Sequence, residues 1–200
     1  MKGSLIILGF FSLGILLGVY DLTPSFLLET DYSQYALYVL MFLVGVGIGS
    51  DPKALQAIKA MNFKILLIPL TTIIGTAIGM LVIIPLLEGV NLKEAMAVGA
   101  GYGYYSLSSL IIKDLHSEWL GVVALLSNVI REIITLLLAP MFAVIFGKIA
   151  PICSGGATSM DTTLPIISNA SGKEYAIPSL VHGIVLTILV PFIVSFILSL

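Results

Sequence analysis

Long apolar runs separated by short polar segments dominate the chain. Each run approaches or exceeds the ~20 residues that a helix needs to cross ~30 Å of hydrocarbon. We therefore predict that each run forms a membrane-spanning helix. The runs cover residues 5–20, 35–49, 65–87, 119–147 and 177–200.

Two further segments, residues 92–115 and 152–170, are less apolar and rich in glycine and hydroxyl side chains. Glycine permits non-helical backbone, which survives at membrane depth only where protein or water covers it. Each segment is expected either to cross the membrane or to enter and return. The predicted fold is an all-α polytopic membrane protein with five or six transmembrane helices and one or two broken or re-entrant segments. Residues 1–200 would form one transporter domain.

Composition supports a membrane protein. Of the 200 residues, 58% are hydrophobic and 10% are charged, whereas soluble domains average about 25% charged residues. A net charge of -2 gives no basic field for nucleic acid. The one cysteine, Cys153, and the separated His116 and His182 provide no spacing typical of a metal site. We expect no cofactor.

The distribution of charge between loops predicts orientation. Lysine and arginine are enriched on the cytoplasmic side of membrane proteins. The loop after the first run is acidic, the loop after the second is basic, and the loop after the third has a net negative charge. An inside N-terminus fits all three loops, and the C-terminus is then outside if both glycine-rich segments cross or both return. The charged residues are, in loop order, Asp21, Glu29 and Asp31; Lys53, Lys59 and Lys64; and Glu88, Lys93 and Glu94.

The single arginine, Arg131, lies in the middle of an apolar run beside Glu132. A charge at the centre of a membrane helix costs about 2.5–3.5 kcal/mol on insertion scales. Asn128, Glu132 and Thr135 follow the i, i+4, i+7 spacing of one helix face, with Arg131 at i+3. This stripe is expected to face the protein interior or a water-filled path. Arg131 could instead pair with an acid and lock helix packing, whereas Glu132 can bind a cation and carry a proton.

The second glycine-rich segment combines flexible backbone with hydroxyl groups and an acid. It reads Ser154-Gly-Gly-Ala-Thr-Ser-Met-Asp-Thr-Thr-Leu-Pro165, and Pro165 suits the first turn of a new helix. A half-helix N-terminus suits the carboxylate of a solute, and Asp161 suits a cation. The candidate binding residues are Thr158, Ser159, Asp161 and Thr162. An ordinary loop between two helices is the alternative.

The first glycine-rich segment carries three tyrosines within Val98-Gly-Ala-Gly-Tyr-Gly-Tyr-Tyr-Ser-Leu-Ser-Ser109. Tyrosine rings and hydroxyls can face a cation, which makes Tyr102, Tyr105 and Ser106 binding candidates. Interfacial tyrosines at the headgroup level are the alternative. His182, near the start of the last run, suits either proton relay or hydrogen-bonded packing. Ser154 or Ser159 beside His182 would also suit a membrane-embedded hydrolase.

These segments together resemble the LysO-type lysine exporter family of prokaryotic membrane proteins, in its C-terminal two-thirds. The resemblance is carried, in this order along the chain, by residues 45–51 (GVGIGSD), 101–109 (GYGYYSLSS), 128–132 (NVIRE) and 155–165 (GGATSMDTTLP). It implies export of L-lysine and lysine analogues across the cytoplasmic membrane. It also implies essential intramembrane acids, which match Glu132 and Asp161.

Longer family members carry a further N-terminal membrane segment. The resemblance therefore leads us to expect a separate small membrane subunit or self-assembly. The hypothesis is a lysine/proton antiporter with alternating access around Glu132 and Asp161, while Arg131 or a half-helix N-terminus holds the carboxylate of lysine. A cation/proton exchanger for Na⁺ or a similar ion and a membrane-embedded hydrolase are the alternatives. The predicted binding and coupling residues are Tyr102, Tyr105, Ser106, Asn128, Arg131, Glu132, Thr158, Ser159, Asp161 and Thr162.

Overall fold

A computed structural model describes residues 63–200 continuously, together with positions 13, 16–20, 35, 39, 42, 46, 50 and 52. The chain divides into two compact units, Met1–Ala36 and Leu37–Leu200. In the first unit, residues 16–19 are helical. The candidate site lies in the second unit, whose described part is helical and contains no strand. The predicted all-α class is therefore confirmed.

Seven α-helices and three short 3₁₀ turns make up the continuously described region. The 3₁₀ turns are Ile84–Leu86, Gly156–Met160 and Lys173–Tyr175. The helices are α1 (Phe63–Ile83), α2 (Leu92–Gly99), α3 (Tyr105–Leu115), α4 (Glu118–Ile145), α5 (Ala150–Gly155), α6 (Leu164–Ser171) and α7 (Ala176–Ser199).

Three of these stretches are long and apolar enough to cross a membrane. They are Ile65–Leu86, Glu118–Ile145 and Lys173–Ser199, and they correspond to α1, α4 and α7. α1 and α4 expose many large apolar side chains, as expected for helices that face lipid, whereas α7 is the most buried of the three. Runs 5–20 and 35–49 lie outside the continuously described residues, so the total number of spans stays a prediction.

The segment 92–115 forms a re-entrant hairpin, here called hairpin 1, from α2, residues 100–104 and α3. Asn91 caps α2 by accepting the Glu94 N–H, and the Glu94 carboxylate accepts the Asn91 N–H in return. The second oxygen of the same carboxylate lies 2.7 Å from Nε2 of His116, directly after α3. Because the start and the end of the segment meet, hairpin 1 returns to the side from which it entered.

The segment 150–171 behaves in the same way and is called hairpin 2. It consists of α5, the 3₁₀ turn Gly156–Met160, and α6. Nζ of Lys148, two residues before α5, donates to the carbonyl of Ala170 at the end of α6, at 3.1 Å. This contact brings both ends of hairpin 2 to one side. Both glycine-rich segments are therefore broken hairpins with their two ends on one side, which is the arrangement that a re-entrant path requires.

The two hairpins enter from opposite ends of α4 and meet at their tips. Hairpin 1 precedes the N-terminus of α4, and hairpin 2 follows its C-terminus. The Ala157 N–H in hairpin 2 donates to the Tyr102 carbonyl in hairpin 1 at 2.8 Å. Both tips have backbone in the left-handed half of conformational space, at Tyr102 (φ 43°), Gly103 (φ 91°) and Gly156 (φ 63°). The breaks in the two hairpins therefore lie at one place.

The G-x-x-x-G pair of α1, Gly75 and Gly79, does not mark a close helix contact within the described region. A Cβ built at either position would meet no described atom within 4 Å. Small residues at this spacing favour close helix pairing in lipid. In the described part of the chain, this face of α1 is instead open.

Labelling of introduced cysteines tests the re-entrant topology. In a Cys153→Ser background, we expect Lys93→Cys and Lys113→Cys, at the two ends of hairpin 1, to react with an impermeant thiol reagent from the same side. Lys148→Cys and Lys173→Cys, which flank hairpin 2, should react from the opposite side. Intact and everted vesicles provide the two measurements. Reaction of Lys93→Cys and Lys113→Cys from opposite sides would show that segment 92–115 crosses the membrane.

The pH dependence of stability tests the contact that closes hairpin 1. The Asn91 N–H and the His116 ring hold the pKa of Glu94 below its usual value of 4.5. Ionised Glu94 therefore stabilises the fold above that pH, and this contribution is lost as the pH falls through the lowered pKa. We expect the Tm in detergent to fall less steeply below pH 4.5 for Glu94→Gln than for the wild type, with exposed Glu88→Gln as the control. Parallel curves for Glu94→Gln and wild type would contradict this.

Candidate functional site

A cavity of about 230 Å³ lies where the N-terminus of α3 meets the turn of hairpin 2. It is smaller than the ~300–1,000 Å³ typical of pockets for drug-sized ligands, so it suits a small solute. One carboxylate, two tyrosines and several hydroxyls line it. The lining residues are Gly103, Tyr104, Tyr105, Ser106, Ala157, Thr158, Met160, Asp161, Thr162 and Thr187.

Asp161 supplies the negative charge of the cavity. It follows the 3₁₀ turn Gly156–Met160 directly and is exposed. One carboxylate oxygen accepts the Thr162 N–H at 2.5 Å and lies 3.4 Å from the Thr162 hydroxyl. The described residues place no cation within ion-pair distance of this carboxylate. Asp161 can therefore accept hydrogen bonds from an ammonium group in the cavity.

The N-terminus of α3 supplies the opposite polarity. The first N–H groups of any α-helix have no partner within that helix and carry partial positive charge. At α3 the N-cap residue, Tyr104, makes no side-chain capping hydrogen bond. Tyr105 and Ser106, in the first turn, line the same cavity as Asp161. The cavity thus combines a carboxylate with the uncapped end of an eleven-residue helix.

Glu132 lies near the cavity but outside its lining. It is a half-buried residue of α4, and it is not among the lining residues. Its charge and that of Asp161 both act on the hydroxyl of Tyr105. Tyr105 therefore lies within the electrostatic reach of both predicted acids, although only Asp161 borders the cavity.

The side chain of Arg131 binds the backbone of hairpin 2. Its Nε donates to the Ser154 carbonyl at 2.9 Å, and Nη2 donates to the Cys153 carbonyl at 3.0 Å. These carbonyls lie at the C-terminal end of α5, where a cation is favourable to the helix dipole. No acid within the described residues forms an ion pair with Arg131. Arg131, predicted as a binding residue with helix packing as the alternative, thus contacts carbonyl groups and does not line the cavity.

The rest of the polar stripe on α4 holds the hairpins in place. Asn128 is buried, and its Oδ1 accepts the Gly103 N–H at the tip of hairpin 1, at 2.7 Å. Thr135 is fully buried, and its hydroxyl lies 2.6 Å from the Ser154 hydroxyl in hairpin 2. The predicted stripe does face the protein interior. Two of its members contact hairpin 2 and one contacts hairpin 1.

Ser159 and His182 are neighbours in the interior. The Ser159 hydroxyl lies 3.0 Å from Nδ1 of His182 and 2.7 Å and 2.9 Å from the carbonyls of Gly156 and Ser179. Both side chains are 0% exposed. A serine nucleophile must reach its substrate, so this burial does not favour the hydrolase alternative.

Five of the ten predicted site residues line the cavity: Tyr105, Ser106, Thr158, Asp161 and Thr162. The other five do not line the cavity: Tyr102, Asn128, Arg131, Glu132 and Ser159. Thr187 of α7 borders the cavity and was not predicted. Its signal in the sequence was a hydroxyl inside an apolar run, five residues after His182.

Within the described residues, three helices of membrane-spanning length surround two hairpins with a polar cavity beside their tips. This arrangement defines a membrane protein with a core of the kind found in transporters. Residues 8–198 match the family described as lysine exporter LysO. The chain therefore belongs to the lysine exporter LysO family, which confirms the resemblance seen in the sequence.

Two named relatives are similar to the chain. The lysine exporter LysO of Escherichia coli K12 is 29% identical over 167 residues, which cover 84% of this chain and 55% of the relative. A putative lysine exporter of Haemophilus influenzae Rd is 30% identical over 162 residues, which cover 81% of this chain and 82% of that relative. The chain thus spans about half the length of the Escherichia coli relative. No solved structure matches it.

Substitution of Gly156 tests the contact between the hairpin tips. A Cβ at this position would collide with the Tyr102 carbonyl, and φ of 63° is strained for other residues. We expect Gly156→Ala to lower the Tm in detergent by about 4–8 °C, which corresponds to about 2 kcal/mol for a chain of this size. Gly79→Ala, with no described atom within 4 Å of the new methyl group, is the matched control and should leave the Tm unchanged or raised. Equal Tm values for the two variants would contradict the tip contact.

Proposed function

We propose that the chain exports L-lysine and lysine analogues from the cytoplasm across the prokaryotic inner membrane. The family assignment over residues 8–198 supports the substrate class, as do the names of the two relatives. The single observation that carries the proposal is the cavity between the hairpins, which offers a carboxylate and a helix N-terminus to one small solute.

An amino acid carries both charges that this cavity complements. The α3 N-terminus receives the carboxylate of lysine, because its first-turn N–H groups are uncapped. Asp161 accepts hydrogen bonds from one ammonium group, and the faces of Tyr104 and Tyr105 attract a cation. In this arrangement the α3 N-terminus, rather than Arg131, holds the carboxylate, since Arg131 already donates to two carbonyls.

Export of a cation against an inside-negative potential needs a source of free energy. The cost is about 2.3 kcal/mol per charge for each 100 mV. Proton entry offsets this cost in a lysine/proton antiport cycle. Glu132, a half-buried acid of α4, serves as the second acid of that cycle, since a carboxylate inside a membrane protein can both attract a cation and carry a proton. Protonation of one acid then favours release of the ammonium group that the acids attract.

Alternating access follows from two hairpins that enter from opposite ends of α4. Each hairpin separates the cavity from one side of the membrane, so release of one hairpin at a time exposes the site to one side at a time. Orientation follows from charge. Lys53, Lys59 and Lys64 precede α1 in the sequence, and Lys148 and Lys173 follow α4. Two spans separate these groups, so both lie on one side, which is cytoplasmic by the positive-inside rule. The N-terminus is then inside and the C-terminus outside.

Lysine uptake into everted vesicles tests the function, because export becomes uptake in that orientation. We expect lysine uptake that depends on an imposed proton gradient. Asp161→Asn and Glu132→Gln should each lower it at least ten-fold, because each removes a charge that attracts the substrate or carries the proton. The matched control is Glu118→Gln, a substitution of an exposed acid at the start of the same helix α4 as Glu132.

Two outcomes would contradict the proposal. Proton-coupled flux that Na⁺ supports and lysine does not alter would identify a cation/proton exchanger. Wild-type lysine uptake by both Asp161→Asn and Glu132→Gln would exclude the two-acid mechanism.

A further inference from the structure

His182 connects three parts of the protein from a fully buried position. It lies in the N-terminal part of α7 and is 0% exposed. Its Nε2 is 2.9 Å from the Thr72 hydroxyl on α1. Its Nδ1 is 3.1 Å from the Gly156 carbonyl and 3.0 Å from the Ser159 hydroxyl, both in the 3₁₀ turn of hairpin 2. One ring therefore joins α1, α7 and the turn.

The contact with the Gly156 carbonyl favours one tautomer of the ring. The Gly156 carbonyl is only an acceptor, so its contact is a hydrogen bond when Nδ1 is the donor. Nε2 of a neutral ring is then an acceptor, and the Thr72 hydroxyl can donate to it. The neutral form with the proton on Nδ1 satisfies every partner.

The turn that His182 holds is the one that leads to Asp161. Gly183, the next residue, leaves no room for a side chain. A Cβ added there would lie 2.7 Å from the Ala157 carbonyl oxygen and 2.7 Å from the Met160 backbone nitrogen. α7 is thus packed directly against the turn. The Ser159 hydroxyl also donates to the Ser179 carbonyl of α7 at 2.9 Å. Ala157 of the same turn makes the tip contact with hairpin 1, and Asp161 follows the turn directly.

We propose that His182 is a positioning residue: its Nδ1–H holds the turn Gly156–Met160 against α7 and so fixes Asp161 at the cavity. His182 does not relay protons in this assignment. The inference rests on the proposed function, because it assigns His182 to the support of the substrate site.

Three substitutions separate the possible roles of His182. The asparagine side-chain nitrogen can take the place of Nδ1, whereas glutamine reaches the place of Nε2. We expect His182→Asn to keep the KM for lysine within about three-fold of wild type. His182→Gln and His182→Ala should raise it about ten-fold, because each removes the Nδ1–H that ties the Gly156 carbonyl to α7. The pH profile of uptake should be unchanged in His182→Asn.

Equal KM values for His182→Asn and His182→Gln would overturn the proposal, because a space-filling role does not distinguish them. Equal loss of uptake in all three variants would also overturn it, since a proton relay needs a titratable ring.

A second measurement does not depend on lysine transport. In a Cys153→Ser background, the alkylation rate of Asp161→Cys reports the position of the residue after the turn. We expect His182→Ala and His182→Gln to change this rate at least three-fold and His182→Asn to restore it. Identical rates in all variants would overturn the positioning role. If the alkylation rates follow this pattern but the wild type takes up no lysine, the positioning role is supported and the proposed substrate is contradicted.

Discussion

Backbone polar groups that leave a helix inside the membrane must find partners within the protein, because hydrocarbon offers none. Both hairpins break at their tips, and this requirement determines the structure around them. At the tip of hairpin 1, Asn128 accepts the Gly103 N–H, and the Tyr102 carbonyl accepts the Ala157 N–H from hairpin 2. Carbonyls at the end of α5 are satisfied by Arg131. Several polar side chains of the interior therefore form hydrogen bonds with the backbone groups at these breaks.

This requirement separates two kinds of polar residue that look alike in the sequence. Asn128, Thr135, Ser159 and His182 are buried and have hydrogen-bond partners on neighbouring elements. Asp161 and Thr162 are exposed and face the cavity, where a solute can reach them. The first group sets the geometry, and the second group is free to exchange its partners. A transport site needs both, because a carboxylate binds selectively only when its position is fixed.

The sequence predicted the positions of the helices better than it predicted the roles of the polar side chains. Apolar runs 65–87, 119–147 and 177–200 correspond to α1, α4 and α7, because the length and hydropathy of a span are local properties. Helical spacing predicted the polar stripe of Asn128, Glu132 and Thr135, with Arg131 beside it. Its partners could not be recognised, because a side chain that binds a backbone carbonyl leaves no complementary residue in the sequence. Arg131 therefore resembled a substrate or ion-pair residue, whereas it caps α5.

The re-entrant paths of hairpins 1 and 2 also depend on contacts that spacing does not reveal. Residues 94 and 116 are joined by a carboxylate and an imidazole, and residues 148 and 170 by an ammonium and a carbonyl. A crossing segment of the same composition would lack these pairs. Glycine content alone predicted that each helix is broken. The return of the chain to the same side could be seen only from long-range contacts. For the same reason Thr187, isolated in an apolar run, was not recognised as part of the cavity.

The strengths of these contacts indicate where the core can open. Helix α4 holds hairpin 2 through the charged guanidinium of Arg131, and hydrogen bonds from a charged group are about twice as strong as neutral ones. His182 and Ser159 hold the turn of the same hairpin to α7. Between the two tips, by contrast, the described hydrogen bonds include one neutral backbone pair, Ala157 to Tyr102. Separation of the tips therefore disrupts less than separation of hairpin 2 from α4 or α7. Opening of the cavity would therefore begin at the tip contact.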